Sequence, residues 1–375
     1  MKLENFSQNL NQNGVKQMKI TYAIATLLVT TLASFGQATL NTNEITGDIA
    51  AVYLNQPFAL QAGTPIMVGC SLARPAALKG EVDVAVNLNA TAFTAFGTNV
   101  FNGLLLETSE ADPTTDNHWI IEFTSGAYTG LIKQVTGFSG STVNVAGGLP
   151  VIDKGTRFVL RKDHTLGSLF GDAELAKVVT KSGLTSGRTA GSSDVVSVLN
   201  SAGQWVKYFY REGSGWRLTT QPTGSNRQHV RVSLGTGVLI SPVLSKTIGL
   251  SGEYRGTRSR VTLVNAGTIV ANPYPVATTL AQTDLASTLT KGGTPSSSDE
   301  IRILQSSKFV NYFARSGTGA TSPGGVAYTG FKPSLDSRSE TSVDDTITIP
   351  AGGAVLVKRA GSAHDLTFRP QYLAQ

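Results

Sequence analysis

Aromatic and cationic side chains crowd into residues 205–217, WVKYFYREGSGWR, in a chain with only 3 tryptophans and 10 tyrosines. Such side chains can stack on a sugar or an aromatic ligand when they lie exposed beside a turn. Tyr210, Trp216 and Arg217 surround a Gly-Ser-Gly turn, so they are the candidate ligand contacts. The alternative is a tryptophan that caps the edge of its own sheet, since large aromatic side chains are usually mostly buried.

An internal repeat assigns the other aromatic residues of this stretch to the scaffold. The segment SDVVSVL at 193–199 recurs as SDEIRIL at 298–304, and WVKYF at 205–209 recurs as FVNYF at 309–313. Both copies carry aromatic residues on each face of the second strand, because side chains alternate along a strand. This pattern predicts a strand covered on both sides, as in a sandwich with an overlying loop.

The candidate contacts lie where the two copies differ. Tyr210 aligns with Ala314, and Trp216 aligns with Ala320. The repeated unit therefore does not require these two aromatic residues, and a role in ligand binding remains open for them.

Motifs for catalysis are absent from the sequence. No Gly-x-Ser-x-Gly elbow, phosphate-binding loop or dinucleotide fingerprint occurs. Cys70 has no base near it in sequence and lies in a run that predicts a buried strand. No histidine has another His or a Cys at ligand spacing, so no catalytic, cofactor-binding or metal-binding residue is assigned and no cofactor is expected. The histidines are His118, His164, His229 and His364.

Clustered carboxylates leave two alternatives open. A pair of carboxylates suffices for a glycosidase, and the sequence does not show their spacing in space. Four acidic residues cluster in one loop, which could bind Ca²⁺ through oxygen ligands, but the spacing of an EF-hand is absent, so we expect a solvated loop. The four residues are Glu107, Glu110, Asp112 and Asp116.

The N-terminal region predicts export. Residues 1–38 contain lysines, an apolar run from Ile20 to Ala33 and a small-x-small cleavage pattern ending at Ala38, with an alternative start at Met18. The run is short for a membrane span, so a signal peptide is favoured over a retained anchor helix, and no membrane span is expected after cleavage. We expect a secreted, periplasmic or outer-surface protein of a bacterium.

The charge of the chain argues against nucleic acid as a partner. Cleavage after Ala38 removes three lysines and one glutamate, which lowers the formal net charge from +6 to +4. Several arginines alternate with hydroxyl residues and glycines, and we interpret them as solvated strand faces. These arginines are at positions 211, 217, 227, 231, 255, 258 and 260.

Composition and turn spacing predict an all-β, mostly antiparallel fold. Only 15% of the 375 residues are charged and 40 are glycine, which is typical of short strands and tight turns. We expect short helices at 166–180 and 279–289, and two related sandwich-like units, with a small β-barrel or sandwich inserted in the first. The boundaries are 47–81 plus 163–243 for the first unit, 82–162 for the insertion, 248–360 for the second unit and 361–375 for a C-terminal tail.

Several segments resemble a paralogous family of exported proteins from Verrucomicrobia-type bacteria. The resemblance rests on HWIIEFTSGAYTGLIKQV, KGTRFVLRKDHTLGSLFG, SSDVVSVLNSAGQWVKYFYREGSGWR, VSLGTGVLI and NPYPVATTL, and it covers about residues 47–357. The shared motifs are turns and strand aromatics. The resemblance implies an exported β-rich protein and no particular activity.

These observations predict a non-enzymatic exported protein that acts by binding or by assembly. Exported β-repeats suit such roles because their edges and loops offer contact surfaces. The expected partners are further copies of the chain or a component of the cell surface or matrix. The alternative is a carbohydrate-binding or carbohydrate-processing protein that contacts polysaccharide through Tyr210, Trp216 and Arg217.

Overall fold

The computed structural model shows an all-β protein built from antiparallel sheets. It describes residues 53–107, 109, 112–171, 183–255, 258–263, 267–274, 276–283, 285–316, 330–333, 346–361 and 364–368. These residues fall in one compact unit, Ala51–Gln375. The expected signal peptide at 1–38 lies outside the described residues.

The first eight strands run from the start of the described chain to Lys162. Most are short and end at glycine-rich or polar turns, as the sequence predicts. They are β1 (Tyr53–Leu60), β2 (Ile66–Gly69), β3 (Ala76–Glu81), β4 (Ala92–Thr94), β5 (Trp119–Phe123), β6 (Ile132–Ser139), β7 (Thr142–Val145) and β8 (Arg157–Lys162).

The next seven strands include the predicted hairpin. Its strands were expected at 195–199 and 204–211, and the structure confirms both within one residue. The elements are β9 (His164–Thr165), α1 (Leu166–Phe170), a 3-10 turn (Ala190–Ser192), β10 (Val195–Leu199), β11 (Trp205–Arg211), β12 (Gly215–Leu218), β13 (Arg231–Val232), β14 (Gly237–Ser241) and β15 (Lys246–Glu253).

The last nine strands form the second unit. Its elements follow the same order as those of the first unit outside the segment between β2 and β9. The helix expected at 279–289 is divided into a 3-10 turn and one short α-helix. The elements are β16 (Ser259–Leu263), β17 (Thr268–Ala271), β18 (Thr278–Thr279), a 3-10 turn (Leu280–Gln282), α2 (Leu285–Thr288), a 3-10 turn (Pro295–Ser297), β19 (Glu300–Gln305), β20 (Lys308–Arg315), β21 (Gly330–Pro333), β22 (Thr348–Ile349), β23 (Ala354–Lys358) and β24 (His364–Phe368).

Two five-stranded sheets have the same strand order. In the first unit the order is β12-β11-β10-β14-β2, and in the second unit it is β21-β20-β19-β23-β17. Each sheet packs against a long strand pair, β1 with β15 in the first unit and β16 with β24 in the second. Apolar residues from the facing layers form one core in each unit.

The segment between β2 and β9 forms a small closed barrel. Its six strands pair in the order β3-β8-β5-β6-β7-β4. The two ends of this sheet meet, because Phe96 N donates to Glu81 O at 2.8 Å and Asp83 N donates to Thr94 O at 2.9 Å. Aromatic rings fill the interior, with the centroid of Phe93 5.2 Å from that of Phe158. The prediction of an inserted small barrel or sandwich is therefore resolved as a barrel with a packed core.

Three of the expected boundaries differ from the structure. Ala76–Glu81 pairs with β8 and belongs to the barrel. Lys246–Glu253 pairs with β1 and belongs to the first unit. His364–Phe368 pairs with β16, so this part of the expected tail is a strand of the second unit. The sequence missed these assignments because strand pairing joins segments that are distant along the chain.

The two units meet edge to edge through reciprocal backbone contacts. Gly69 N donates to Gly352 O at 2.6 Å, and Ala271 N donates to Gly235 O at 2.9 Å. Gly69 leaves no space for a side chain, since a Cβ there would lie 2.7 Å from Ala271 Cβ. Apolar residues of both units complete this junction, among them Met67, Leu239, Ile269 and Leu356.

A buried aspartate fixes a loop in each unit. Asp194 accepts hydrogen bonds from Thr185 N at 2.7 Å and Val243 N at 2.8 Å, and it pairs with Lys246. Asp299 stands at the same position of the second sheet. It accepts from the backbone N of Thr290 and of Ala360, both at 2.8 Å, and it pairs with Arg359 at 3.3 Å. The repeated Ser-Asp dipeptide is thus a structural anchor.

Candidate functional site

The register of β11 and β12 decides where the candidate ligand contacts point. Tyr210 lies directly opposite Trp216, and Phe209 lies opposite Arg217. Residues directly opposite on neighbouring strands share a face of the sheet, and successive residues alternate between faces. Tyr210 and Trp216 therefore share the face that forms the core, and Arg217 lies on the other face.

Trp216 is a core residue with a 0% exposed side chain. Its indole Nε1 donates to Gly171 O at 2.8 Å, just after α1, and its ring packs against Phe170 with centroids 5.9 Å apart. The ring of Tyr210 meets it edge to face at 5.7 Å and is also buried. The prediction that Tyr210 and Trp216 lie exposed as ligand contacts is therefore wrong. The alternative, a tryptophan packed within its own unit, is what the structure shows.

The second sheet also has an aromatic residue at this position. Ala314 lies opposite Phe331, in the register that Tyr210 has with Trp216, and Phe331 is buried. The alignment of Trp216 with Ala320 is therefore wrong, and Phe331 is its counterpart. The sequence hid this match because residues 316–329 connect the second strand pair, where residues 212–214 suffice in the first.

Of the three candidates, Arg217 alone is not fully buried, and it lies close to Arg211. Partial burial, and then the charge of Arg211, hold the pKa of the Arg217 guanidinium below its usual value. Arg217 Nη1 donates to Trp216 O at 3.0 Å, and Arg211 Nη1 donates to Pro222 O at 3.0 Å. Within the part of the chain that the structure describes, neither guanidinium pairs with a carboxylate.

Lys207 extends this charged surface along β11. It lies four residues before Arg211, on the same face of the strand, and it is exposed. We call Lys207, Arg211 and Arg217 the cationic face. Ammonium and guanidinium groups bind carboxylate, sulfate and phosphate through charge-assisted hydrogen bonds. Strand alternation in the sequence places Lys207 and Arg211 on one face, whereas the position of Arg217 depends on the register between β11 and β12.

The other arginines are mostly engaged inside the protein. Arg227 pairs with Asp112 at 2.5 Å, and Arg231 pairs with the buried Asp163 at 2.7 Å. Arg260 stacks over the ring of Tyr128 at 5.0 Å. The interpretation of all these arginines as solvated strand faces is therefore wrong, because several join segments that are far apart in sequence.

A buried charge network joins the barrel to both units. Glu122 of β5 contacts Arg161 at 3.4 Å and Arg255 at 3.1 Å. Arg161 also pairs with Glu253 at 2.7 Å, at the end of β15. Arg255 Nη2 donates to Ser259 Oγ at 2.9 Å, at the start of β16. Two carboxylates and two guanidiniums balance each other here, which makes this arginine cluster a structural junction.

The described carboxylates of the acidic loop bind other groups of the same chain. Backbone N–H groups of Ser109, Thr115 and Thr114 donate to the carboxylate of Glu107 and lower its pKa to about 2. Asp116 pairs with Arg74 at 3.1 Å and with Lys162 at 2.6 Å. Glu110 lies outside the described residues. Among the residues that are described, no group of three or more His, Cys, Asp and Glu could hold a metal ion.

Cys70 is a buried free thiol, as the sequence predicts. Burial, and then the nearby charge of Asp163, raise the pKa of this thiol well above its usual value. His164 is buried as well, and its Nε2 lies 2.7 Å from Leu72 O. A thiol kept neutral in this way is a poor nucleophile.

Comparison with known proteins adds no family to this description. No family model, curated protein or solved structure matches the chain. None of the helices in the described ranges has the length and apolar character to span a membrane.

Proposed function

We propose that this is an exported, non-enzymatic binding protein that holds an anionic polymer, such as an acidic polysaccharide, on its cationic face. The observation that carries the proposal is the pair Arg211 and Arg217, two neighbouring guanidiniums that no described carboxylate neutralises. Neighbouring like charges gain stabilisation only when an anion lies between them.

The spread of the cationic face favours a polymer over a small ion. Lys207 and Arg211 are about 13 Å apart along an extended strand, at about 3.3 Å per residue. Arg217 lies between them, opposite Phe209. A single carboxylate or sulfate cannot reach all three cations, whereas an extended chain with repeated acidic groups can.

Closed edges favour binding to a ligand over assembly by strand addition. The outer edge of β12 is covered by its own loop, because Trp216 N donates to Asn226 Oδ1 and Arg227 N donates to Trp216 O, both at 2.9 Å. The barrel closes on itself. These features protect the outer edge of β12 and the edge strands of the barrel from pairing with another chain.

The proposal also includes export, a location outside the cytoplasm and a common origin of the two units. The signal at 1–38 supports a secreted, periplasmic or outer-surface protein of a bacterium. The repeated motifs and the equal strand order of the two sheets support two copies of one ancestral unit, with the barrel inserted in the first. The motif resemblance supports membership of the exported family from Verrucomicrobia-type bacteria.

Pull-down with insoluble or bead-coupled polysaccharides tests the proposal. We expect the protein without residues 1–38 to bind alginate or polygalacturonate at low salt, to be released by salt, and to ignore dextran. The double variant Arg211→Ala/Arg217→Ala should lose at least tenfold in affinity. Arg157→Ala removes one exposed charge on the barrel and should bind normally. Equal binding by the wild type and the double variant, or no binding to any acidic polymer, overturns the proposal.

A further inference from the structure

A cleft of about 190 Å³ lies where the two units meet, away from the buried side chain of Trp216. The first unit contributes the end of β10 with its hairpin loop and the turn between β13 and β14. The second unit contributes the end of β16 and the start of β17. Residues that line the cleft include Asn200, Arg231, Ser233, Thr236, Thr262 and Ile269.

Polar side chains of the first unit are held in place around this cleft. Arg231 Nε donates to Asp163 Oδ2 at 2.7 Å, and Asp163 is fully buried, so the guanidinium is anchored. Asn200 Oδ1 accepts hydrogen bonds from Ala202 N and Gln204 N at 3.1 and 2.8 Å. Within the described residues, Asn200 Nδ2 and Ser233 Oγ make no hydrogen bond, so both can bind a ligand.

The turn before β14 can be built without polar side chains at positions 233 and 236, although Thr236 Oγ1 donates to Ser233 O at 2.6 Å within it. Arg231 lies opposite Thr165 in β9, and its counterpart Thr348 lies opposite Thr279 in β18. Counting on from this match, Ser233 corresponds to Pro350, and Thr236 corresponds to Gly353. Both turns close with the same hydrogen bond, from Thr236 N to Ser233 O at 3.1 Å and from Gly353 N to Pro350 O at 2.9 Å. The second unit builds the same turn without polar side chains.

We propose that this cleft binds a small polyhydroxylated ligand of the size of one sugar ring. Its volume corresponds to about six water molecules at about 30 Å³ each. Val198 and Ile269 supply apolar surface for the C–H face of a ring. Amide, hydroxyl and guanidinium groups supply the donors and acceptors that ring hydroxyls need. The cleft does not depend on the cationic face.

Saturation-transfer NMR and calorimetry with free sugars test this proposal. The probes are D-glucose, D-galactose, D-mannose, D-xylose, L-rhamnose and L-fucose, each as the free monosaccharide. We expect at least one to bind the wild-type protein. The variant Ser233→Pro/Thr236→Gly copies the second unit, should keep the fold, and should weaken binding at least tenfold.

Two further variants separate the cleft from the fold and from the cationic face. Ser233→Ala removes only one hydroxyl and should weaken binding severalfold without changing the circular dichroism spectrum. Arg211→Ala/Arg217→Ala should bind the sugar as the wild type does. Failure of every probe, or equal affinity of the wild type and both Ser233 variants, overturns the proposal, whatever the result with acidic polymers.

Discussion

Replacing Trp216 with alanine should damage the fold of the first unit. Loss of a buried tryptophan side chain costs about 3 to 5 kcal/mol of unfolding free energy. The hydrogen bond from Nε1 to Gly171 O adds about 1 kcal/mol. We therefore expect Trp216→Ala to lose about 4 to 6 kcal/mol, which is a large part of the total stability of a typical domain.

Two matched variants separate packing from a surface role. Trp216→Phe places in the first sheet the residue type that the second sheet has at 331, and it should lose about 1 to 3 kcal/mol, from the indole hydrogen bond and the smaller ring. Phe96 is also aromatic but is 71% exposed, so Phe96→Ala should change stability by no more than about 0.5 kcal/mol.

Urea unfolding followed by far-ultraviolet circular dichroism measures these differences. The expected order of destabilisation is Trp216→Ala, then Trp216→Phe, then Phe96→Ala. If Trp216→Ala unfolds within 1 kcal/mol of the wild type, Trp216 does not hold the core and the assignment of its face is refuted. A binding defect in Trp216→Ala with full stability would return this residue to the candidate ligand contacts.

Two other predictions concern buried or hydrogen-bonded carboxylates. The carboxylate of Glu107 stabilises its loop fully above pH 4.5, and this contribution should disappear as the pH falls toward about 2, because the pKa is lowered in the folded protein. A ¹³C titration of the Glu107 carboxyl, assigned with Glu107→Gln, checks this, and a midpoint near 4.5 would contradict it. Asp299→Asn should lose about 3 to 5 kcal/mol in urea unfolding, because it leaves Arg359 buried without its partner. Adding Arg359→Met should restore part of the loss, and an additive loss would argue against a direct pair.

Local patterns predicted the two strands of one hairpin correctly. The hairpin of β10 and β11 followed from alternation and from the Asn-Ser-Ala-Gly loop, both of which act over a few residues. The burial of Phe209 and Phe313 also followed from alternation and is confirmed. Cys70 was predicted as a buried thiol from its apolar neighbours, and it is buried.

Features that depend on distant partners were not predictable from the sequence. Asp194 was visible as half of a repeated dipeptide, but its partners lie at Val243 and Lys246. The counterpart of Trp216 was hidden by the longer connection at 316–329. The cationic face required the register between β11 and β12, which sets Arg217 opposite Phe209. Register depends on turn length and pairing, which composition does not reveal.

The comparison of the two units separates scaffold from function in two different ways. Aromatic residues recur at 216 and 331 because each unit needs a large buried side chain on its edge strand. Cations recur too, since Arg315 and Lys332 hold the register positions of Arg211 and Arg217. Arg315 is buried in the second unit, so a cation at this register position is compatible with the scaffold.

The polar turn residues of the cleft, by contrast, do not recur in the second unit. The serine and threonine in the turn before β14 occur in one unit only, and the other unit closes the same turn with proline and glycine. A polar residue that is added where the scaffold does without it suggests a cause outside the fold. We propose that a neutral ring bound in the cleft supplies it, and that an acidic polymer binds the cations of the first unit. The two sites can therefore be removed separately. Neutralising Arg211 and Arg217 removes the first, and replacing Ser233 and Thr236 removes the second.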